Sequence, residues 1–380
     1  MKSEIKTAIV LVVVIGAAIA GIQGVLVSLD DAAPATDAAL TAAPPTETSA
    51  SDSPAQPKID KSRFKTAPEI VGIFEYINTT PDGLEEAIKD KVVLYDIWTY
   101  SCINCIRTLP YITAWDDKYA DEGLLIVGVH SPEFEFEKNP DNVRMAVEKY
   151  GIKYPVVMDN EMDTWKAFEN RYWPRKYVAD HEGYIRYDKI GEGGYDDTER
   201  VIQNLLRERA ASLGLQTAAA EPLVDIKSFE HTLVRTPELY FGYQFAFGRN
   251  QLGSEEGFKP ESIVEYGEPK SIDLDKFYMT GEWKNRSDSM ELVSDTGRIQ
   301  LYYNAKEVNI VTENAAELKV TIDGKPVPAD LAGSDIMPGG LVSVSGPDLY
   351  NLVSADSAST HLMQIDVSGQ GFQIFTFTFG

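Results

Sequence analysis

Between residues 64 and 213, short apolar runs alternate with segments whose apolar residues recur at helical spacing, the pattern of an α/β unit. Residues 71–77 read as an edge strand and 84–89 as a short helix. Residues 92–98 (Val-Val-Leu-Tyr-Asp-Ile-Trp) are almost continuously apolar, as a strand covered on both faces requires. An amphipathic helix follows over 106–119 with Pro110 inside it, where a proline removes a backbone bond and kinks the helix. Residues 124–130 form a second buried strand, 139–150 a helix, 155–159 a strand and 162–170 another helix. A hairpin over 176–179 and 184–190 and a helix over 198–209 close the unit.

Past residue 213 the period changes. After a short Ala-rich linker (214–221), alternating apolar positions recur over 298–303, 307–311, 317–322, 361–367 and 371–379, separated by turn residues such as Asp323-Gly324. Short strands without helical spacing predict an all-β sandwich over 222–380, following an α/β domain over 61–213. Its aromatic residues, Tyr240, Phe241, Tyr243, Phe245, Phe247, Tyr278, Trp283, Tyr302 and Tyr303, read as core or as platforms for sugar rings.

The amino-terminal segment differs again. Residues 7–29 are uncharged and mostly Val, Ile, Ala, Leu and Gly, with Lys2 and Lys6 before them and Asp30-Asp31 after. A bilayer core takes about 20 apolar residues as a helix, whereas the apolar part of a cleaved signal spans about 7–15. The segment is therefore expected to be a retained single-pass transmembrane anchor over 1–29, with cleavage as the alternative. The flanking charges place the N-terminus in the cytoplasm and the remainder outside. Residues 30–60 reduce mainly to Ala, Pro, Thr, Ser and Asp, which cannot bury a core and read as a disordered linker. Asn78-Thr-Thr and Asn285-Arg-Ser match the N-glycosylation triplet. The net charge of −24 argues against nucleic acid as a partner.

Cys102 and Cys105 are the only cysteines among 380 residues, and they sit between the strand 92–98 and the helix that follows. That places Cys102 at a helix N-terminus, where free N–H groups and the macrodipole favour a thiolate. Cys105, one turn on, can resolve a mixed disulfide, so the pair reads as a dithiol–disulfide exchanger with a redox-active disulfide. A structural zinc would need four ligands; there is no third cysteine, and the four histidines are scattered without ligand spacing, so no metal or cofactor is expected. A purely structural disulfide closing so short a loop removes little chain entropy. His130 ends a strand near the cysteine face and reads chiefly as a structural histidine. The acids of Pro132-Glu-Phe-Glu-Phe-Glu137 alternate with phenylalanines and are expected on an exposed face.

These residues together resemble the thioredoxin fold, in particular the extracytoplasmic ResA/TlpA-like oxidoreductases. Asp96, six before Cys102, matches that family's buried acid; Trp98 matches its active-site tryptophan; Pro110 matches its helix-kinking proline. Pro174, in Tyr172-Trp-Pro-Arg, falls where the family has a cis-proline. The resemblance implies that Asp96 has a raised pKa and takes the proton of Cys105. It also implies that a cis bond at Pro174 lets the Trp173 backbone receive an extended peptide, with Trp98 in support. Ile103-Asn104 between the cysteines departs from the Gly-Pro of cytosolic thioredoxin and leaves the direction of electron flow open. The whole soluble chain is similar to the C-terminal region of DipZ-type proteins, where a thioredoxin-like domain precedes a β-sandwich like carbohydrate-binding modules. That similarity implies disulfide-containing or dithiol clients among exported proteins, cytochrome c precursors included, and a separate membrane electron donor of the CcdA type. The rival expectation is a surface glycan-binding protein whose redox pair is secondary.

Overall fold

A computed structural model of the chain describes residues 60–216, 222–229 and 236–380. The expected membrane anchor, the linker up to residue 59 and most of the Ala-rich linker lie outside the described residues.

The first region is a six-stranded sheet. Its strands are β1 (Glu75–Ile77), β2 (Val92–Trp98), β3 (Leu124–His130), β4 (Val156–Met158), β5 (Arg175–Ala179) and β6 (Ile185–Ile190), in the spatial order β1-β4-β3-β2-β5-β6. β2, β3 and β4 run parallel, and β1, β5 and β6 pair antiparallel at the flanks. Helices α1 (Pro81–Ile88), α2 (Ile103–Tyr119), α3 (Pro140–Lys149), α4 (Asp163–Ala167) and α5 (Tyr195–Leu213) connect and follow these strands. Two of them start on a polar cap followed by proline. Thr80 Oγ1 accepts from the Gly83 N–H at 3.1 Å before Pro81, and Asn139 Oδ1 accepts from Asp141 N–H at 3.0 Å before Pro140. Such caps satisfy N–H groups that the first turn leaves free, and proline at N1 gives up nothing. Every residue of β2 is buried, as its apolar run requires for a central strand.

The second region is all-β. Its strands are β7 (Leu239–Tyr240), β8 (Ile263–Tyr266), β9 (Lys276–Asn285), β10 (Met290–Leu292), β11 (Thr296–Glu313), β12 (Ala316–Ile322), β13 (Lys325–Pro326), β14 (Leu341–Val344), β15 (Asp348–Ser368) and β16 (Gln373–Phe379), with a one-turn helix α6 (Tyr243–Ala246) after β7. The ladder is one continuous path, β13-β12-β15-β11-β16-β10-β9-β8, with β14 added on β12 and β7 on β16. The runs at 298–303 and 307–311 are one strand, because β11 continues through bulges at Ala305/Glu307 and Val308/Asn309. A bulge bends a strand without ending it, so alternation read from sequence breaks where the strand does not. Asp323 (φ 52°) and Gly324 (φ 72°) make the tight turn between β12 and β13, a conformation that aspartate tolerates and glycine favours.

Residues Asp60–Gly380 form one compact unit. Its main apolar cluster crosses between the two sheets: Phe375 of β16 meets Phe136 at 4.7 Å and Phe134 at 5.1 Å between ring centres, and Tyr240, Ala246 and Val311 join the same cluster. Ion pairs from Arg107 of α2 to Glu307 of β11, and from Lys149 to Asp348 at 2.6 Å, flank the seam. Both glycosylation triplets are structurally occupied. Asn78 Nδ2 donates to the Ile152 and Tyr154 carbonyls at 3.0 and 3.2 Å. Asn285 is wholly buried, and its Oδ1 accepts from Lys259 N–H and the Tyr266 hydroxyl.

Candidate active site

The chain turns from β2 into α2 through Thr99-Tyr-Ser-Cys102, and Cys102 is the N-cap residue of α2. Its extended backbone (φ −77°, ψ 117°) lets its carbonyl accept from Ile106 N–H at 3.0 Å while its side chain makes no cap bond. The sulfur is left for other chemistry. Cys102 is half-buried, whereas Cys105 is 1% exposed. Both are free thiols. Burial pushes the Cys105 thiol well above its usual range; the neighbouring Cys102 and the Asp96 charge add to this, and a backbone N–H at Thr99 opposes it.

Beneath the pair, β2 carries Asp96. Its cross-strand partners are Gly128 on the parallel side and Lys176 on the antiparallel side. Both Asp96 and Lys176 are buried. Burial raises the Asp96 carboxyl to about 6, with the Lys176 charge holding it back. Burial lowers the Lys176 ammonium, with Asp96 and Cys105 opposing. Lys176 Nζ donates to the Gly191 carbonyl at 3.2 Å, and Asp96 Oδ1 has no hydrogen-bond partner. A buried carboxyl oxygen without a partner is rare, and a proton acceptor fits it. The sequence reading missed Lys176. A lysine inside an otherwise apolar strand was the available signal, but only the β2–β5 register sets it opposite Asp96.

The expected Trp173–Pro174 cis peptide bond is present. It lies beside the end of β2 through a short chain of hydrogen bonds: Trp173 Nε1 donates to the Ser131 carbonyl at 2.9 Å, and Ser131 N–H to the Trp98 carbonyl at 3.0 Å. Trp173 also packs on Trp165 with ring centres 4.2 Å apart. Trp98 is fully buried, and a side chain at Gly128 would meet its indole nitrogen at 3.1 Å, so close packing accounts for both residues. His130 is buried between Trp98 and Tyr100, and burial lowers its pKa to about 3. It is a neutral core residue, with Nε2 3.4 Å from Thr99 Oγ1.

Residues 132–137 are not an exposed acidic face. Glu135–Lys138 forms a 3₁₀ turn, and Phe134, Phe136 and Glu137 are buried. Glu137 Oε2 accepts from the Glu133 and Phe134 N–H groups at 2.6 and 2.9 Å, and its Oε1 accepts from Ser101 Oγ at 2.6 Å. The alternation failed as a guide because this carboxylate caps its own turn and ties it to the residue before Cys102.

In the all-β region, Tyr240, Phe241, Tyr278, Trp283 and Tyr303 are buried, and Tyr243, Phe245 and Tyr302 are half-buried; only Phe247 of the nine is largely exposed, at 88%. Most of these rings serve the core and the seam rather than a flat sugar-binding face.

Two family models match the chain: "Redoxin" over residues 76–206 and "Thioredoxin like C-terminal domain" over 236–380. Protein DipZ of Mycobacterium bovis is 34% identical over 319 residues, spanning 83% of this chain and 43% of that protein. The chain thus spans less than half the length of this relative. NHL repeat-containing protein 2 of Bos taurus is 42% identical over 128 residues, 33% of this chain and 18% of that protein. Thiol-disulfide oxidoreductase YkuV of Bacillus subtilis is 30% identical over 141 residues, which are 37% of this chain and 94% of YkuV. With two free thiols at the start of α2, a buried carboxyl below them and a relative matched over nearly its full length, the chain belongs to the thioredoxin-like thiol–disulfide oxidoreductases.

Proposed function

We propose that the chain is a membrane-anchored, extracytoplasmic oxidoreductase in which Cys102 attacks a client disulfide and Cys105 resolves the mixed disulfide. The observation that carries the order of events is access: Cys102 is half-buried at the N-cap of α2, and Cys105 lies behind it at 1% exposure. A client sulfur meets Cys102 first. Asp96 takes the Cys105 proton, because its carboxyl, raised to about 6, changes charge near neutral pH, and its Oδ1 has no competing donor. Pro174, Trp173 and Trp98 shape the wall beside the thiols. On this reading the clients are exported proteins, cytochrome c precursors among them, and electrons come from a separate membrane donor of the CcdA type. The apolar segment 7–29 supports the anchoring and the location.

A Cys105→Ser protein should accumulate mixed disulfides with clients that dithiothreitol releases, while Cys102→Ser should trap none. Trapping by Cys102→Ser alone would reverse the two roles. Retention in the membrane after a high-salt wash checks the anchor, since salt does not screen apolar insertion; a mature N-terminus near Asp30 would show cleavage instead.

A further inference from the structure

Tyr240, of the all-β region, reaches across the seam to the cysteine side of the molecule. Its hydroxyl lies 3.0 Å from Glu133 Oε1 and 2.8 Å from Glu238 Oε2. A phenol has one hydrogen to donate. Both contacts hold together only if one carboxyl is protonated and donates to the phenol oxygen while the phenol donates to the other. The geometry therefore stores one proton among three side chains. Burial raises the Glu238 carboxyl, and the Tyr240 hydroxyl and Arg249, whose guanidinium sits 4.7 Å from the Tyr240 ring centre, oppose that rise, whereas Glu133 is pushed well above its ordinary range; the proton therefore rests on Glu133.

Glu133 is bonded by the Tyr240 hydroxyl and, through its N–H, to Glu137, and the charges that act on it are those of Glu238, Glu137 and Cys102, with Arg249 acting on Glu238. Burial pushes the Glu133 carboxyl well above its ordinary range, and the charges of Glu238, Glu137 and Cys102 push the same way. Glu137 also fixes the Glu133 backbone and Ser101, next to Cys102, through one carboxylate.

We propose that Glu133 is the proton donor to the client thiolate that Cys102 displaces, and that Tyr240 and Glu238 position and reload it, so that the all-β region completes the active site. The proposal rests on the oxidoreductase reading above. As the Cys102 sulfur bonds to one client sulfur, the client disulfide breaks and the departing thiolate takes the Glu133 proton. Cys105 then displaces the client from Cys102, and the second client thiolate takes the proton that Cys105 gave up through Asp96. Two electrons pass from the dithiol to the client. The proton that Cys102 released to solvent before its attack is replaced at Glu133 through Glu238 and Tyr240.

The test is the pH profile of Cys102 alkylation by iodoacetamide in the full-length Cys105→Ser protein. Glu133→Gln exchanges a protonated carboxyl for a neutral amide and should leave the profile where the parent has it. Glu238→Gln frees the phenol to donate to Glu133, favours its ionised form and should move the profile to higher pH by about half a unit, roughly threefold in rate at fixed pH below the midpoint. Adding Glu133→Gln to Glu238→Gln should return the profile to the parent position, which a merely structural role of Glu238 would not do. A shift to lower pH in Glu133→Gln, or a Glu238→Gln profile superimposable on the parent's, would overturn the proposal. Because Glu238 is an exposed residue, its variant reports even if Glu133→Gln folds poorly. Exchange of the parent with an aromatic disulfide reagent checks the underlying reading separately; its failure would remove that reading whatever the profiles show.

Discussion

The region around the six-stranded sheet buries Asp96, Glu137, Asp159, Lys176, Asp180 and Glu199, each at 1% exposure or less, whereas the buried polar residues described from 236 onward are all uncharged, Asn285, Asn309 and Thr376 among them. Buried ionisable groups are costly unless paired, and most of these are. Asp180 meets Lys61 and Arg186; Asp159 accepts from the Thr164 and Trp165 N–H groups; Glu199 accepts from Trp115, Tyr119 and Val224. Asp96 differs, with one oxygen lacking a hydrogen-bond partner and a carboxyl raised to about 6. The comparison teaches that buried charge alone does not single out a residue; among these groups Asp96 is set apart by incomplete satisfaction near a thiol.

The contrast breaks most visibly in the all-β core. Trp283→Ala empties a fully buried site and should cost about 3–5 kcal/mol in urea unfolding. That loss should be the same from pH 5 to 8, because the ionisable side chains of that core are tyrosines, which stay neutral over this range; a drift above about 1 kcal/mol would contradict the division.

Asp96→Asn should behave oppositely. The folded carboxyl titrates about two units above its ordinary value of 3.8, so its contribution to stability is intact below pH 3.8 and is lost as pH rises through 6. Replacement by Asn should therefore be more favourable at pH 8 than at pH 4 by about 1–3 kcal/mol, reduced by the partner that Lys176 loses. Equal effects at both pH values would show that the carboxyl is not perturbed.

The smallest effect tests the seam between the regions. Lys149 and Asp348 are half-exposed, so Lys149→Ala should cost less than about 1 kcal/mol and nothing measurable in 1 M salt. A larger, salt-resistant loss would mean that charge, rather than the Phe134–Phe136–Phe375 cluster, holds the two sheets together.

Much of the active-site wall was legible because it is local. The β2 run, the two cysteines, Asp96 and the proline at 174 lie on short stretches whose spacing carries their geometry. β2 matched residue for residue, while the edge strand expected over 71–77 shrank to Glu75–Ile77 and the helix over 162–170 to Asp163–Ala167. Lys176 was hidden because its role depends on strand register, and Tyr240 because it stands 107 positions from Glu133. The Glu-Phe alternation at 133–137 misled because it imitates an exposed strand, while Glu137 spends both oxygens on the turn and on Ser101.

The position of Asn285 bears on how the chain can be manufactured. Oligosaccharyl transfer selects Asn-X-Ser/Thr triplets, and an attached glycan needs an asparagine at the surface. In a eukaryotic secretory host, a sugar on the Asn285 Nδ2 would take the place of a nitrogen that donates to the Trp283 carbonyl at 3.4 Å inside a fully buried site, and leave the all-β core unable to close. Secreted product should divide into an unglycosylated folded fraction and a glycosylated aggregating one, and Ser287→Ala should return the whole yield to the first.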